Sequence, residues 1–296
     1  MNGARAIVTG AGGQDGSYLV ELLRSRDYDV LGIQHGDVDL TDVDAVAALL
    51  RDAAPDELYN LASPSFVPRS WEQPLQTAHV GVTAVTALLE AVRRVEPSIR
   101  LVHASSAEVF GVPTETPQRE TTPIRPRSPY GAAKAYGTFL IAAYRERYGL
   151  HVSSAILFNH ESPRRSTDFV PAKIAHAATA IAAGRQNELV LGDLDARRDW
   201  GYAPDYVHAM WLMLQQEDPD DFVIATGELH TVQELVEIAF AHVGLEWRDH
   251  VRVDASLRRG QLYELVGDAT KARTRLGWQP SVTFEELVAL LVDAAA

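Results

Sequence analysis

The chain has 296 residues, which exceeds a typical single domain and predicts one large α/β unit or two lobes sharing a core. With 46% hydrophobic and 23% charged residues, its composition is typical of a globular protein. The net charge of −13 argues against nucleic acid or an anionic membrane as the main partner. There is no cysteine, which excludes disulfides and thiolate zinc sites and fits a reducing compartment, so we expect a cytoplasmic protein.

Neither a signal peptide nor a membrane span is expected. The chain enters a predicted strand almost at once, without a charged segment and a long apolar run before it. No uninterrupted apolar run reaches the length needed to cross a bilayer.

Short apolar runs alternate with helical patterns along the first 160 residues. The longest helical face recurs between residues 77 and 95. Strict alternation of strand and helix predicts βαβ units, and therefore a Rossmann-type, doubly wound parallel sheet in an α/β fold. The predicted buried strands are 6–8, 29–33, 57–59, 99–102 and 152–158.

The alternation of strand and helix becomes less regular after about residue 159, where prolines and arginines are frequent in the predicted loops. Helix candidates follow at 169–183, 205–216, 232–243 and 284–292, which indicates a smaller C-terminal α/β lobe that binds substrate. We expect a dinucleotide-binding domain at 1–160 with roughly 192–226, and a nucleotide-sugar lobe at 161–191 and 227–296. The binding cleft then lies between them, beyond the carboxyl ends of the strands.

A glycine-rich loop stands directly after the first strand. Gly10, Gly13 and Gly16 are spaced by three and lead straight into a helix. Such a loop lets the backbone approach a pyrophosphate, which then sits at the helix N-terminus. The next strand ends without an arginine; Asp37 or Asp39 could contact a ribose, so the residues leave the type of nicotinamide dinucleotide open.

Tyr130 and Lys134 are the first catalytic candidates. Residues four apart on a helix share a face, so both side chains can point into one pocket. Because a nearby cation favours the phenolate, we expect Lys134 to lower the pKa of Tyr130 and make it a proton acceptor. The fourth strand is followed by Ser106 and Glu108, a hydroxyl and a carboxylate at the cleft edge.

Together these motifs resemble the extended short-chain dehydrogenase/reductase family over essentially the whole chain. The segments 159–165, Asn-His-Glu-Ser-Pro-Arg-Arg, and 195–201, Asp-Ala-Arg-Arg-Asp-Trp-Gly, resemble its GDP-mannose 4,6-dehydratase branch. The resemblance implies conversion of GDP-mannose, or a close GDP-sugar, to a 4-keto-6-deoxy sugar by internal hydride transfer from C4 to C6. A GDP-4-keto-sugar reductase or epimerase on the same scaffold is the alternative, and a non-catalytic dinucleotide sensor is a third reading.

The resemblance also implies a role for each site residue. Tyr130 takes the C4 hydroxyl proton, Ser106 hydrogen-bonds the C4 oxygen, and Lys134 lowers the pKa of Tyr130 and holds the cofactor ribose. Glu108 removes the C5 proton and helps water leave from C6. The implied cofactor-binding residues are Gly10, Gly13, Gln14, Asp15, Gly16, Asp39, Leu40, Leu61, Tyr130 and Lys134. The implied substrate-binding residues are Asn159, Arg164, Lys173, Arg198 and Arg258.

One departure from the family concerns the cofactor. The resemblance implies NADP, but the longer arginine-bearing loop that holds a 2′-phosphate in relatives is missing between Gln34 and Asp39, which leaves NAD open. In relatives that loop also bridges subunits of a tetramer. We expect a homodimer through the helices at 77–95 and 130–148, and the sequence leaves a tetramer open. The histidines lack metal-ligand spacing, and no metal is assigned.

Overall fold

The computed structural model describes residues 3–257 and 263–296. Most of these residues lie in strands and helices whose bounds follow in chain order. The strands are β1 Arg5–Thr9, β2 Asp29–Ile33, β3 Glu57–Asn60, β4 Arg100–Ala104, β5 Val152–Leu157, β6 Asn159–Glu161, β7 Leu189–Leu191, β8 Arg197–Arg198, β9 Trp200–Tyr202, β10 Phe222–Ile224, β11 His230–Thr231 and β12 Val251–Val253. The helices are α1 Gln14–Arg24, α2 Val43–Ala53, α3 Val67–Glu72, α4 Pro74–Ala78, α5 Ala84–Val95, α6 Pro129–Tyr148, α7 Val170–Ala182, α8 Ala203–Leu214, α9 Val232–His242, α10 Thr270–Leu276 and α11 Phe284–Ala294.

Six parallel strands form the main sheet in the order β10-β5-β4-β3-β1-β2. The predicted Rossmann-type sheet is therefore confirmed, and all five predicted strands belong to it. Its sixth strand, β10, was not predicted because three residues are too short a run to separate from a loop. The strand order reverses around β1, which creates a crevice at the carboxyl ends of β1 and β3.

Helices cover both faces of this sheet. On β1, Ala6 and Val8 face the core shared with α1 and α8, whereas Ile7 faces the core shared with α2 and α5. This alternation follows from the two-residue period of a strand. Because both faces are buried, the central strands are nearly continuous apolar runs, which is what makes them recognisable in the sequence.

A second core joins α7, α9 and α11 to β7 and the segment around Trp200. The strand β7 pairs in parallel with β12 there. Two of its helices begin with capping boxes, formed by Thr231 and Glu234 at α9 and by Thr283 and Glu286 at α11. These elements form the smaller C-terminal α/β region expected from the sequence.

The expectation that no segment is long and apolar enough to span a bilayer is wrong. A continuous helical stretch over Pro74–Val95, made of α4, a π-helical turn at His79–Thr83 and α5, is long and apolar enough. Part of it is buried against α2 and α6. The sequence analysis overlooked this stretch because polar residues interrupt it. Core helices of globular proteins can have the same length and composition, so the stretch is weak evidence for a membrane.

Candidate active site

The glycine loop closes tightly between β1 and α1. Gly10 has a φ of +70°, and its carbonyl accepts a hydrogen bond from the Gly13 amide at 3.0 Å. A Cβ on Gly16 would lie 2.1 Å from the carbonyl oxygen of Gly10, so only glycine fits there. The loop thus leads the backbone directly onto the N-terminus of α1, the geometry that suits a pyrophosphate.

A buried polar chain fixes the ends of the three strands beside this loop. The Thr9 hydroxyl donates to the Asn60 side chain at 3.0 Å and accepts from the Leu61 amide at 3.1 Å. Asn60 Nδ2 lies 2.9 Å from Nδ1 of His103, whose imidazole has a pKa held well below its usual value by burial and by the charge of Lys134. Single polar residues in apolar strands gave no sequence signal for this network.

Ser106 and Glu108 follow β4, as predicted. Ser106 caps the short 3₁₀ turn Ala107–Val109, and its hydroxyl accepts from the Glu108 amide at 3.3 Å. Both side chains are half-buried. A Cβ on Gly131 would lie 2.6 Å from the Glu108 carbonyl, so this glycine lets the start of α6 approach the turn closely.

Tyr130 and Lys134 lie on one face of α6, and both are buried. The ammonium of Lys134 donates to the Ala104 carbonyl at 2.7 Å and lies 5.7 Å from the centroid of the Tyr130 ring. The Ser106 hydroxyl and the Glu108 carboxylate both lie near enough to Tyr130 to affect its ionisation. The sequence-predicted quartet is therefore brought together in one place.

The ionisation of this pair differs from the expectation. Burial, reinforced by the negative charge of Glu108, raises the pKa of Tyr130 to about 12, against the opposing effect of the Ser106 hydroxyl. Burial lowers the pKa of Lys134 to about 8. The expected net lowering of the Tyr130 pKa is therefore not found for these residues, because desolvation outweighs the attraction of nearby cations. Among these cations, Arg165 lowers the pKa of Tyr130.

The side chains of Gln14 and Asp15 bind the segment after β5. Gln14 donates to the His160 carbonyl at 3.1 Å and accepts from the Ser162 hydroxyl at 2.9 Å. Asp15 Oδ2 lies 2.9 Å from His160 Nε2, and the His160 imidazole stacks on the Tyr206 ring. These contacts connect the glycine loop to β6, and the sequence suggested neither partner.

Arg165 is a site residue that the sequence analysis did not select. Its guanidinium lies 3.5 Å from the centroid of the Phe169 ring and pairs with the buried carboxylate of Glu161 at 3.1 Å, without hydrogen-bond geometry. The available signal was its place in segment 159–165, where Arg164 was chosen instead.

The predicted substrate residues are dispersed. Arg198 is half-buried in β8, and burial lowers its pKa against the opposing charge of Glu108, which lies within electrostatic range. Asn159 is exposed at the start of β6. Arg164 instead lies on α1, where it bonds Ser17 and Glu21 and stacks over Tyr18. The remaining two are Lys173, which donates to the Val190 carbonyl at 2.8 Å, and Arg258, which falls outside the described residues.

Of the remaining cofactor candidates, Leu61 lies beside Thr9 at the end of β3. Leu40 is half-buried against the core on the α2 side, and Asp39 is exposed and caps Thr41. Among residues 3–257 and 263–296, no group of three His, Asp or Glu side chains could hold a metal ion.

The fold and this quartet of side chains define an extended short-chain dehydrogenase/reductase. Two solved structures share the fold over nearly all of the chain. RMD from Pseudomonas aeruginosa, complexed with NADPH, has a TM-score of 0.89 at 24% identity and covers 99% of this chain and 97% of that one. UDP-glucose 4-epimerase of Thermus thermophilus, in complex with NAD, has a TM-score of 0.87 at 29% identity and covers 98% of both chains.

Sequence comparison identifies the family to which the chain belongs within this class. The family model described as GDP-mannose 4,6 dehydratase matches residues 34–291, and the chain belongs to this family. It is 46% identical to GDP-mannose 4,6 dehydratase 1 of Arabidopsis thaliana, over 97% of this chain and 88% of that protein. It is 41% identical to GDP-mannose 4,6 dehydratase of Homo sapiens, over 98% and 90% respectively.

Proposed function

We propose that the chain is a hydro-lyase that converts GDP-mannose to the 4-keto-6-deoxy product. The observation that carries this proposal is the Glu108 carboxylate within electrostatic reach of Tyr130 and of Arg198. Proton transfer at a C4 hydroxyl needs Tyr130 and Ser106, but removal of a C5 proton needs a second base. A simple reductase or epimerase has no use for that carboxylate.

The site fits a nicotinamide dinucleotide. The glycine loop after β1 leaves a close approach that a Cβ at Gly16 would block, and the loop leads onto the N-terminus of α1. Gly10, Gly13 and Gly16 would hold the pyrophosphate, while Tyr130 and Lys134 stand where the nicotinamide ribose belongs. When bound, the cofactor supplies hydride acceptance from the sugar C4 and its return to C6.

The protein's own groups would manage the protons. Ser106, which lies near enough to Tyr130 to affect its ionisation, would orient the C4 oxygen toward the phenol. Lys134 is tied to the Ala104 carbonyl and so keeps a fixed positive charge beside the ring below its pKa of about 8. Glu108 would take the C5 proton and return it to the leaving C6 hydroxyl, so that water departs without net consumption of cofactor.

The GDP-sugar would lie across the cleft at the carboxyl ends of the strands. Arg198, which lies within electrostatic range of Glu108, suits a sugar diphosphate, since a guanidinium binds phosphate oxygens as a fork. Asn159 is proposed for the same role by family correspondence. Lys173 and Arg258 are proposed for the nucleotide by family correspondence. We assign dinucleotide binding to 1–160 with roughly 192–226, and sugar-nucleotide binding to 161–191 and 227–296, in a cytoplasmic enzyme.

The mass of the product tests this function. Purified protein is incubated with GDP-mannose and a catalytic amount of NAD or NADP, and the sugar nucleotide is weighed by mass spectrometry. We expect loss of one water with no net change in cofactor absorbance. A product of unchanged mass would instead identify an epimerase. Turnover that occurs only when NAD(P)H is added and oxidised stoichiometrically would identify a reductase.

We also propose a homodimer. Large apolar side chains are exposed on the adjoining helices α3, α4 and α6, and the most exposed are Trp71 at 64%, Leu75 at 86% and Phe139 at 61%. Exposed apolar surface of this kind marks an interface, and a second copy of the chain is the simplest occupant. Light scattering should give twice the mass of one chain for the wild type and for Leu257→Glu, an exposed leucine elsewhere, but one chain mass for Leu75→Glu. A monomeric wild type refutes the dimer.

A further inference from the structure

We infer that this enzyme selects NAD over NADP, and that Asp37, at the turn after β2, sets the choice. The inference rests on the proposed function, because it concerns the cofactor of the same site. It departs from the NADP that family resemblance implies. In a dinucleotide fold, the end of the second strand faces the adenosine ribose, where the two cofactors differ only by a 2′-phosphate.

The turn after β2 contains acidic residues and neither lysine nor arginine. Residues 34–42 include three aspartates, Asp37, Asp39 and Asp42, and no lysine or arginine. The glycine loop lies directly against it, since the Ala11 amide donates to the Ile33 carbonyl at 3.1 Å. Gln34 lies over the loop, because a Cβ on Gly12 would be 3.2 Å from Gln34 Oε1.

Backbone amides could replace the missing arginine in holding a phosphate, but carboxylates already occupy the relevant ones. Asp37 Oδ2 accepts from the Gln34 amide at 2.8 Å, and Asp39 Oδ1 accepts from the Thr41 amide at 2.9 Å. At the N-terminus of α2, Asp42 accepts from the amides of Asp44 and Ala45 at 2.9 and 3.3 Å. A 2′-phosphate would therefore meet negative oxygens where it needs donors.

Asp37 is the carboxylate best held for a ribose. The turn 34–37 closes through an Asp37 amide to Gln34 carbonyl bond of 3.3 Å, and Gly36 takes the φ of +98° that the turn requires. The Gln34 amide bond fixes the carboxylate at the tip of β2, next to the Gln34 side chain. Together these groups offer acceptors and a donor to two ribose hydroxyls, and Asp37 repels a phosphate in the same place.

Direct binding measurements test the inference without any turnover. Dissociation constants for NAD and for NADP are measured by isothermal titration at pH 8, without sugar nucleotide, for four proteins. The variants are Asp37→Asn, which keeps an oxygen acceptor for the Gln34 amide; Gln34→Arg, which supplies a cation; and Asp44→Asn, which removes the same charge from an exposed position on α2. The ratio of the two constants in one protein cancels losses of fold stability.

We expect the wild type and Asp44→Asn to bind NAD at least about tenfold more tightly than NADP. Asp37→Asn should bring the two constants closer, and Gln34→Arg should favour NADP. Equal or tighter NADP binding by the wild type overturns the inference but leaves dehydration to be judged by product mass. An equal shift in Asp37→Asn and Asp44→Asn overturns the role of Asp37, and binding of neither cofactor overturns the proposed function as well.

Discussion

His160 and Asp15 form an ion pair at the junction of the glycine loop and β6, with 2.9 Å between Nε2 and Oδ2. The other ring nitrogen, Nδ1, lies 2.7 Å from the Phe158 carbonyl oxygen. Both nitrogens therefore face acceptors, which only the protonated imidazole can satisfy. Accordingly, Asp15 raises the pKa of His160 against the effect of burial and of Arg165, and His160 lowers the pKa of Asp15 against burial.

The pair should make stability depend on pH. The raised pKa of His160 adds stability that is fully present below its unfolded value and is lost as pH rises through the folded value. The lowered pKa of Asp15 adds stability that is present above its unfolded value and is lost as pH falls through the folded one. The contribution is thus largest between the usual pKa values of Asp and His.

His160→Gln tests this dependence. It should cost on the order of 1–3 kcal/mol in the free energy of unfolding at pH 5.5, and less at pH 8.5. Urea denaturation at both values measures the difference. His242→Gln, which breaks an exposed pair with Asp293, should cost less at either pH. A loss for His160→Gln that is the same at both pH values would mean that the ring contributes only packing.

Glu108→Gln should stop water loss while sparing nucleotide binding. The amide keeps the size of the side chain but cannot accept the C5 proton, so we expect kcat to fall by about 10²–10⁴. Deuterium exchange at C5 in D₂O reads out that step directly and should disappear. Glu146→Gln, an exposed glutamate on α6, should behave as the wild type. Exchange that continues in Glu108→Gln would place the base elsewhere.

Two glycines of one loop should respond differently to alanine. In Gly16→Ala the new Cβ would overlap the Gly10 carbonyl at 2.1 Å, which cannot move without opening the turn. In Gly12→Ala the nearest atom is the flexible end of Gln34 at 3.2 Å. We expect dinucleotide affinity to fall by about 100-fold or more for the first and by less than about tenfold for the second. Isothermal titration measures both, and equal losses would contradict the cradle geometry.

Much of the sheet and of the quartet could be predicted, because both depend on local patterns. The strands are apolar runs buried on two faces, and Tyr130 and Lys134 share a face through helical periodicity. The pKa of Tyr130 was not predictable, since it depends on burial that a spacing does not reveal. Arg164 was assigned to the substrate from its motif, yet α1 provides its partners through contacts 143 and 147 residues distant in sequence.

Asp199 supports the last prediction, because it is 1% exposed and ties three segments together. Its carboxylate accepts from the Thr226 amide and hydroxyl at 2.9 and 2.6 Å, and from the amides of Gly227 and Gly267 at 3.0 and 3.2 Å. In Asp199→Asn one oxygen becomes a donor that faces these N–H groups. We expect a loss of about 2–4 kcal/mol in unfolding free energy, measured in urea, because buried donors are left unpaired. Asp195→Asn, exposed on the preceding loop, should lose less than about 0.5 kcal/mol. Equal stability of the two variants would show that the four bonds contribute little.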